Sequence, residues 1–149
     1  MAQFFSSILE VFAENVASYS EKVAVVDSEG SGLSYAELDA LSSDLALVLN
    51  VFDSSSKVGV YLNRSPEFIV SILGILKSGR AFVSLDIEAP AERIQHIVDD
   101  AGLEVVVSNS RLSEKLIADN ISLIDVDNFK KEKTSTKNFQ DNNLAYLMY

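Results

Sequence analysis

The sequence predicts an α/β fold: a doubly wound, mostly parallel sheet with helices on both faces, plus a short N-terminal helix and a β-hairpin. Two observations lead to this prediction. From residue 58 onward, short apolar runs alternate with longer stretches of helical periodicity, which is typical of βαβ units with parallel strands. Ahead of these units, two short apolar runs flank a turn rich in glycine and serine, which predicts the hairpin.

The N-terminal segment is expected to form a helix followed by the hairpin. A row of apolar residues recurs at helical spacing and predicts a buried helix face: Phe5, Ile8, Phe12 and Val16. Strands are expected at residues 23–26 and 33–34, with the turn at 27–32 between them.

The next helix begins at a capping box. Ser34 can accept a hydrogen bond from the backbone N–H three residues on, and Glu37 can reach back to the N–H of Ser34. The residues expected to face the core are Leu38, Leu41, Leu45, Val48 or Leu49, and Phe52.

Two strand–helix units follow, with strands expected at 58–62 and 81–85. Ser65 and Pro66 are typical of a helix start, and Gly79 is typical of a left-handed stop. The predicted buried residues of this helix are Ile69, Ile72, Leu73 and Leu76. The second helix is expected to open at Pro90, to end at Gly102, and to bury Ile94, Ile97, Val98 and Ala101.

The last third of the chain continues the alternation and then changes character. Strands are expected at 105–107 and 121–124, with a short helix around Leu112 and Leu116 between them. Residues 128–143, approximately, are expected to form a polar loop. A solvated connector is favoured over an anion-binding patch of the four lysines in this loop, Lys130, Lys131, Lys133 and Lys137. Residues 144–149 are expected to form an apolar strand without a polar tail, which predicts truncation at this strand.

The composition excludes several classes of function. The 149 residues carry a formal net charge of −10, so no nucleic-acid partner and no anionic membrane partner is expected. Cysteine is absent and His96 is the single histidine, so no disulfide and no cysteine- or histidine-based metal site is expected. The sequence has neither a secretion-signal pattern nor an apolar run that could cross a bilayer, which favours a cytoplasmic protein.

One segment superficially resembles a nucleotide-binding loop. Residues 74–81 read GILKSGRA, but Arg80 and Ala81 stand where lysine and Ser/Thr are required. The order is also helix, stop, strand instead of strand, loop, helix. We therefore interpret Gly74 as a close-packing position within a helix. A Gly-x-Gly-x-x-Gly dinucleotide motif is absent from the sequence.

Five polar residues have a functional and a structural interpretation. His96 lies off the apolar stripe of its helix and is expected to be exposed. Asp99 and Asp100 are adjacent and cannot face each other on a helix. The predicted helix cap accounts for the presence of Ser34, so a role as a nucleophile is not needed to explain this residue. Asp86 follows a strand, where α/β folds place functional groups, but a turn or cap carboxylate is favoured.

Three segments occur in the order of the opening motifs of a known enzyme family. Residues 33–38 read LSYAEL, residues 76–86 read LKSGRAFVSLD, and residues 144–149 read LAYLMY. The first resembles Leu-Thr/Ser-Tyr-x-Glu-Leu, the second resembles Leu-Lys-Ala-Gly-x-Ala-Tyr-Val-Pro-Leu-Asp, and the third resembles the start of a phosphate loop. Together they resemble the motifs of adenylate-forming (AMP-binding) enzymes, most closely those of nonribosomal peptide synthetase adenylation domains. Ser84 and Ile87 depart from the pattern where the family commonly has proline, and Arg80 fills a variable or glycine position.

The resemblance implies an ATP-dependent acid-activating ligase. In the family, a carboxylic acid, usually an amino acid, attacks ATP to give an acyl-adenylate and pyrophosphate, and the acyl group then passes to the phosphopantetheine thiol of a carrier protein. ATP and Mg²⁺ are the cofactors that this implies, and the acid and the carrier protein are the partners.

The resemblance places the catalytic parts of the family downstream of Tyr149. No catalytic or metal-binding residue is therefore carried over to this chain, and Tyr149 is assigned only as the residue that leads into the phosphate loop. Residues 1–149 are expected to be the N-terminal fragment of an adenylation domain and to be inactive alone.

Four other identities stay open at this stage. The parent enzyme could be a D-alanine–carrier-protein ligase or an acyl-CoA synthetase. The chain could also be a non-enzymatic α/β interaction module or a decayed fragment, docking through its terminal strand. A receiver-like signalling domain would need an acidic cluster and a lysine at strand ends; Asp27 and Asp86 are available, but no lysine follows a matching strand.

Overall fold

A computed structural model describes residues 7–52, 57–116 and 118–128 and the strand residues 146–147. Its helices are α1 (Ile8–Tyr19), α2 (Tyr35–Leu49), α3 (Pro66–Lys77), α4 (Ala91–Ala101) and α5 (Ser110–Ser113). Its strands are β1 (Val23–Val26), β2 (Gly32–Ser34), β3 (Lys57–Val60), β4 (Ala81–Ser84), β5 (Val105–Ser108), β6 (Ser122–Asp125) and β7 (Tyr146–Leu147).

The strands form an antiparallel hairpin and a parallel sheet, as predicted. β1 pairs with β2 across the turn. The five-stranded sheet has the order β6-β5-β3-β4-β7, and every neighbouring pair in it is parallel. In the sheet, β4 lies on one side of β3 and β5 lies on the other, so the chain reverses its direction across the sheet after β4. Right-handed crossovers therefore place α3 and α4 on opposite faces, which confirms the doubly wound arrangement.

The helix starts depend on local side-chain chemistry. Ser34 Oγ accepts from the Glu37 N–H at 3.1 Å, and Glu37 Oε2 accepts from the Ser34 N–H at 2.8 Å, so the predicted capping box is present. A second capping box, which the sequence analysis missed, joins Ser7 and Glu10 at the start of α1. Ser65 caps α3 with Pro66 as its first residue, as predicted.

Two predicted helix ends and one predicted stripe are confirmed. Gly79 and Gly102 adopt φ of 79° and 65° after α3 and α4, a left-handed conformation that glycine adopts without a Cβ penalty. The four residues predicted to be buried on α4 are all buried: Ile94, Ile97, Val98 and Ala101. Pro90 occupies the N-cap position without a capping side-chain hydrogen bond, and the helix itself begins at Ala91.

The predicted buried faces of the first three helices were partly wrong. Ile8 in α1 and Leu41 in α2 are exposed, at 61% and 38% of their surface. In α3, Leu73 is buried as predicted, whereas Ile69, Ile72 and Leu76 are only half-buried. The other buried residues of α3 are Pro66, Val70, Ser71, Gly74, Ile75 and Lys77.

Close packing of α3 on α2 explains why the buried surface of α3 differs from the predicted stripe. A Cβ added to Gly74 would lie 2.8 Å from Cδ2 and 2.9 Å from Cβ of Leu45, so the Leu45 side chain of α2 packs against the α3 backbone more closely than a larger residue at position 74 would allow. This confirms Gly74 as a packing position. α3 thus has α2 on one side and the sheet on the other, and its buried surface is wider than a single stripe.

Several predictions concern residues outside the described ranges. Phe5 and the four lysines of the polar loop are among them, as are residues 144–145 and 148–149 of the last predicted strand. Tyr146–Leu147 forms the strand expected there. In the described part of the chain, no helix has both the length and the apolar character needed to cross a membrane.

Candidate functional site

The carboxyl ends of the five parallel strands define the candidate site. All five end at the same edge of the sheet because every pair is parallel. The winding direction reverses between β3 and β5, and open α/β sheets bind ligands beside such a reversal. The segments at this edge are those that follow β3, β4, β5 and β6.

Tyr61 follows β3 and is fixed at several points. Its N–H donates to the Val107 carbonyl at 2.9 Å, and its own carbonyl accepts from Ser108 Oγ at 2.8 Å. Its hydroxyl donates to the Ile87 carbonyl at 3.3 Å. Burial raises the pKa of the Tyr61 phenol, and the nearby carboxylates of Glu88 and Asp86 raise it further. The phenol therefore stays protonated and able to donate at neutral pH.

Asp86 follows β4 and organises a turn. Its Oδ1 accepts from the Glu88 N–H at 2.9 Å, and its carbonyl accepts from the Ala89 N–H at 3.1 Å. The carboxylate therefore stabilises its own turn, as such side chains do. The interpretation of Asp86 as a turn carboxylate accounts for these contacts.

Asp125, at the end of β6, forms a second polar centre. Its carboxylate accepts hydrogen bonds from the Ser110 hydroxyl, from Asn128 Nδ2 at 3.0 Å and from the Asp127 N–H at 2.9 Å. Burial alone would raise the pKa of Asp125, but these three donors together lower it. The pKa of Asp127 is raised by partial desolvation and then by Asp125 and Glu67, although its side chain remains exposed.

Grooves also lie on the surface of the described residues, and we consider two of them. One, of about 770 Å³, lies between the hairpin turn and the start of α3, with Asp27, Asn63 and Arg64 in its lining. The other, of about 540 Å³, lies among α1, α2 and α3, with Phe12 and Lys77 in its lining. The Lys77 ammonium group is satisfied by Asp39 and Ser43 at hydrogen-bond distance.

The structure does not bring the other candidate residues together. Ser34 lies at the start of α2, where its hydroxyl serves the cap. His96 is exposed on α4, which occupies the opposite face of the sheet from α3. Asp99 accepts from Gln95 Nε2 at 2.8 Å on the same helix, and Asp100 is exposed beside it. Tyr149 lies outside the described residues.

Sequence reasoning missed Tyr61 and the role of Lys77. Tyr61 stood within a predicted strand and Lys77 within a motif, but their partners are 26 and 38 residues away in the chain. Each of these residues is a single polar residue within an apolar run of the sequence. Since a buried phenol or ammonium group needs a hydrogen-bond partner, this pattern could have indicated that each makes a contact elsewhere in the fold.

Comparison with known proteins decides the family. A model of the AMP-binding enzyme family matches residues 12–149. The chain belongs to the AMP-binding enzyme family. The resemblance of its motifs is thereby confirmed.

Peptide synthetases are among the curated relatives of this family member. Gramicidin S synthase 2 of Brevibacillus brevis is 33% identical over 145 residues, which cover 94% of this chain and 3% of that protein. Syringomycin synthase SyrB1 of Pseudomonas syringae pv. syringae is 32% identical over 146 residues, which cover 94% and 24%. The chain thus spans a quarter or less of the length of these relatives.

Solved structures agree with this assignment. The nonribosomal peptide synthetase FmoA3, in an AMPPNP-bound form, superposes with a TM-score of 0.79 at 26% identity over 92% of this chain and 15% of that chain. The N-terminal subdomain of Klebsiella oxytoca NpsA superposes with a TM-score of 0.78 over 93% of this chain and 36% of that chain. At 20% identity, the second match shows the fold alone. The chain therefore corresponds to the N-terminal region of a peptide synthetase adenylation domain.

The described part of this sheet edge can be compared with the chemistry that the family performs. AMP-binding enzymes are adenylate-forming ligases that use ATP, typically with Mg²⁺. Four acidic residues at this edge, Asp86, Glu88, Asp125 and Asp127, outnumber the arginines that follow β3 and β5, Arg64 and Arg111, and a net negative charge repels phosphate groups. Within the described ranges, no cluster of three or more His, Cys, Asp or Glu side chains is placed to hold a metal ion.

Proposed function

We propose that this chain is the N-terminal part of an enzyme that activates an amino acid with ATP in nonribosomal peptide synthesis. The parent enzyme would form the aminoacyl-adenylate, release pyrophosphate and transfer the aminoacyl group to the phosphopantetheine thiol of a carrier protein. ATP with Mg²⁺ would be its cofactors, and the amino acid and the carrier its partners. We place this activity in the cytoplasm, as the sequence predicts.

The position of β7 is the observation that carries the proposal. Phe82 and Val83 of β4 pair in parallel with Tyr146 and Leu147 of β7. The carboxyl end of β7 therefore belongs to the same edge as the turn that follows β4. Backbone N–H groups that follow a strand at this edge are suited to hold phosphate groups. By the motif resemblance, the segment led by Tyr149 would be that phosphate loop.

The present residues would then act as the framework of the site. We propose that residues 1–149 belong to one domain and that the chain alone does not catalyse adenylation. The acidic side chains at the sheet edge support this, because adenylation requires stabilisation of negative charge. In the parent enzyme, that stabilisation would come from groups beyond Tyr149.

No observation favours the other identities considered for this chain. The relatives named above are peptide synthetases and not acyl-CoA synthetases or D-alanine ligases. Asp27 does not form a receiver-like acidic centre: its Oδ1 accepts from the Glu29 and Ser31 N–H groups, both at 2.9 Å, within the hairpin turn.

Amino-acid-dependent exchange of pyrophosphate into ATP tests this function. We expect exchange from the complete enzyme with one or a few amino acids, no exchange without an amino acid, and none from the 149-residue chain. Exchange by the 149-residue chain would contradict the proposal that this chain alone does not catalyse adenylation. A complete enzyme that exchanges with no amino acid or other carboxylic acid would contradict the proposed function itself.

A further inference from the structure

The helix α1 is attached to the rest of the fold through few side chains. Of its twelve residues Phe12 is the buried one, whereas α4 buries four of its eleven. Leu9 and Val16 are half-buried against the core, and Ile8 and Val11 are exposed at 61% and 45%. Since a short helix is stabilised mainly by the apolar surface that it buries, α1 is held less firmly than the other long helices.

The two ends of α1 are attached in different ways. After its C-terminal end, the Ser20 carbonyl accepts from the Ala36 N–H at 2.9 Å and the Lys22 carbonyl accepts from the Tyr35 N–H at 3.0 Å. Within the described ranges, residues 7–18 make hydrogen bonds only inside α1 and its caps. Backbone bonds therefore fix residues 20–22 to the start of α2, whereas side-chain packing alone holds the rest of α1.

Phe12 is the residue that closes α1 onto α2 and α3. The centre of its ring lies 5.3 Å from the Nζ atom of Lys77, within the range of a cation–π interaction. The same ring lies 6.3 Å from the ring of Tyr35, between centroids, a separation typical of aromatic pairs. Asp39 and Ser43 hold the Lys77 ammonium group at 2.6 and 2.9 Å. The ammonium group is therefore fixed to α2, and Phe12 is the part of this contact that moves if α1 moves.

The groove beside Phe12 shows that α1 is incompletely packed. It has a volume of about 540 Å³ and separates Leu9 and Ala13 of α1 from Asp39 and Ser43 of α2. Surfaces that face such a space lack the dispersion contacts of a close-packed interior. Moving α1 away from α2 and α3 thus breaks the Phe12 contacts and little else, whereas moving a strand breaks the hydrogen bonds of the sheet.

We propose that α1 is a strap that opens as a unit about residues 20–22, with Phe12 as its latch, while α2, α3 and the parallel sheet stay folded. Opening withdraws the Phe12 ring from Lys77 and widens the groove. The ion pair of Lys77 and Asp39 keeps α2 and α3 together in the open state. Segments with few buried contacts open in this way at a lower free energy than global unfolding. The opening of the strap does not depend on the proposed function.

Hydrogen–deuterium exchange in low urea concentrations tests the opening in the unmodified full protein, under conditions where reclosing is faster than chemical exchange. We expect the amides of residues 12–16 in α1 to exchange together and faster than those of residues 45–49 in α2. Their exchange should also depend less on urea, because opening of the strap exposes less surface than global unfolding. Equal rates and equal urea dependence in α1 and α2 would overturn the proposal.

Phe12→Ala tests the latch. Exchange of the α1 amides should become about ten- to a hundredfold faster, the effect of losing a buried aromatic side chain whose contacts are broken in the open state. Val11→Ala is the matched control, since it truncates an exposed side chain of the same helix, and it should change these rates by less than about threefold. Unchanged α1 rates in Phe12→Ala would show that Phe12 is not the latch and would overturn the proposal.

Ile97→Val separates opening of the strap from global unfolding. Ile97 is buried on α4, on the opposite face of the sheet from α3, so its packing is the same in the closed and open states. The variant should therefore speed exchange of the α2 amides about two- to tenfold and leave the α1 rates within about twofold. If the α1 rates rise with those of α2, α1 opens only when the whole fold opens, and the proposal is wrong. This comparison stays decisive if Phe12→Ala does not fold.

Discussion

The Nζ atom of Lys77 lies 2.6 Å from Oδ1 of Asp39, and this ion pair joins α3 to α2. The same ammonium group donates to the Asp39 carbonyl at 3.1 Å and to Ser43 Oγ at 2.9 Å, so all three of its protons have acceptors. It also lies 5.3 Å from the centre of the Phe12 ring on α1. One charge thus links three helices.

The two partners of this pair should respond differently to substitution. Asp39→Ala leaves a buried ammonium group without its counter-charge and is expected to lower the free energy of unfolding by about 1–3 kcal/mol. The half-exposed Asp39 side chain keeps the loss below that of a fully buried pair. Lys77→Met removes the charge and keeps the apolar stem, so its cost is expected to be below about 1 kcal/mol. Urea unfolding measures both, and a larger loss for Lys77→Met would contradict this account.

Gly74 should not tolerate a larger residue. Gly74→Ala gains about 1 kcal/mol of helix propensity, but the new Cβ would lie 2.8 Å from Leu45 Cδ2. Overpacking of this kind costs about 1–3 kcal/mol, so a net loss of stability is expected in urea unfolding. Part of the loss should be recovered when Leu45→Ala is added, relative to the sum of the two single variants. Additive losses would show that the two residues do not conflict.

Ser34 should prove to be a cap and not a nucleophile. Ser34→Ala removes the acceptor for the Glu37 N–H and is expected to lower the free energy of unfolding by about 1 kcal/mol. Ser34→Thr keeps the hydroxyl and should retain most of the stability. In the complete enzyme, kcat of Ser34→Ala measured below its melting temperature should match that of Ser34→Thr. A loss of kcat of a hundredfold or more in Ser34→Ala, typical of a lost catalytic group, would contradict the structural role.

The raised pKa of Tyr61 predicts a loss of stability at alkaline pH. In the unfolded chain the Tyr61 phenol has the ordinary tyrosine pKa of about 10. In the folded chain, burial and then the carboxylates of Glu88 and Asp86 raise this pKa. Its contribution to stability is therefore complete below about pH 10 and is lost as the pH rises through the folded pKa. The stability advantage of the unmodified chain over Tyr61→Phe should be constant from pH 8 to about pH 10 and then shrink. An advantage that grows above about pH 10 would contradict the raised pKa.

Buried helix residues were predicted more accurately where the polar and apolar residues of a helix lie on separate sides. α4 has polar residues on one side only, so its buried residues, such as Ile94 and Ile97, were predicted correctly. α3 is apolar almost all round, and periodicity alone could not choose between Ile72 and Ile75. In α2, the stripe included Leu41, but Ser42 is buried because its hydroxyl bonds to the Leu38 carbonyl at 2.7 Å.

The framework of the candidate site was harder to predict than the sheet. Strand positions follow from local apolar runs, whereas the Tyr61–Ile87 and Lys77–Asp39 contacts join residues from different elements. No local pattern specifies which carbonyl a buried phenol reaches. The turn at Asp86 could be predicted, because an aspartate after a strand commonly bonds to the backbone two residues on.

Reading the coding sequence beyond the Tyr149 codon tests the central claim most directly. If the chain is the N-terminal part of an adenylating enzyme, the reading frame should continue into a loop rich in serine, threonine and glycine that ends in Pro-Lys-Gly. A stop codon at this point would contradict the claim, because the chain would then lack the loop that its framework is proposed to hold.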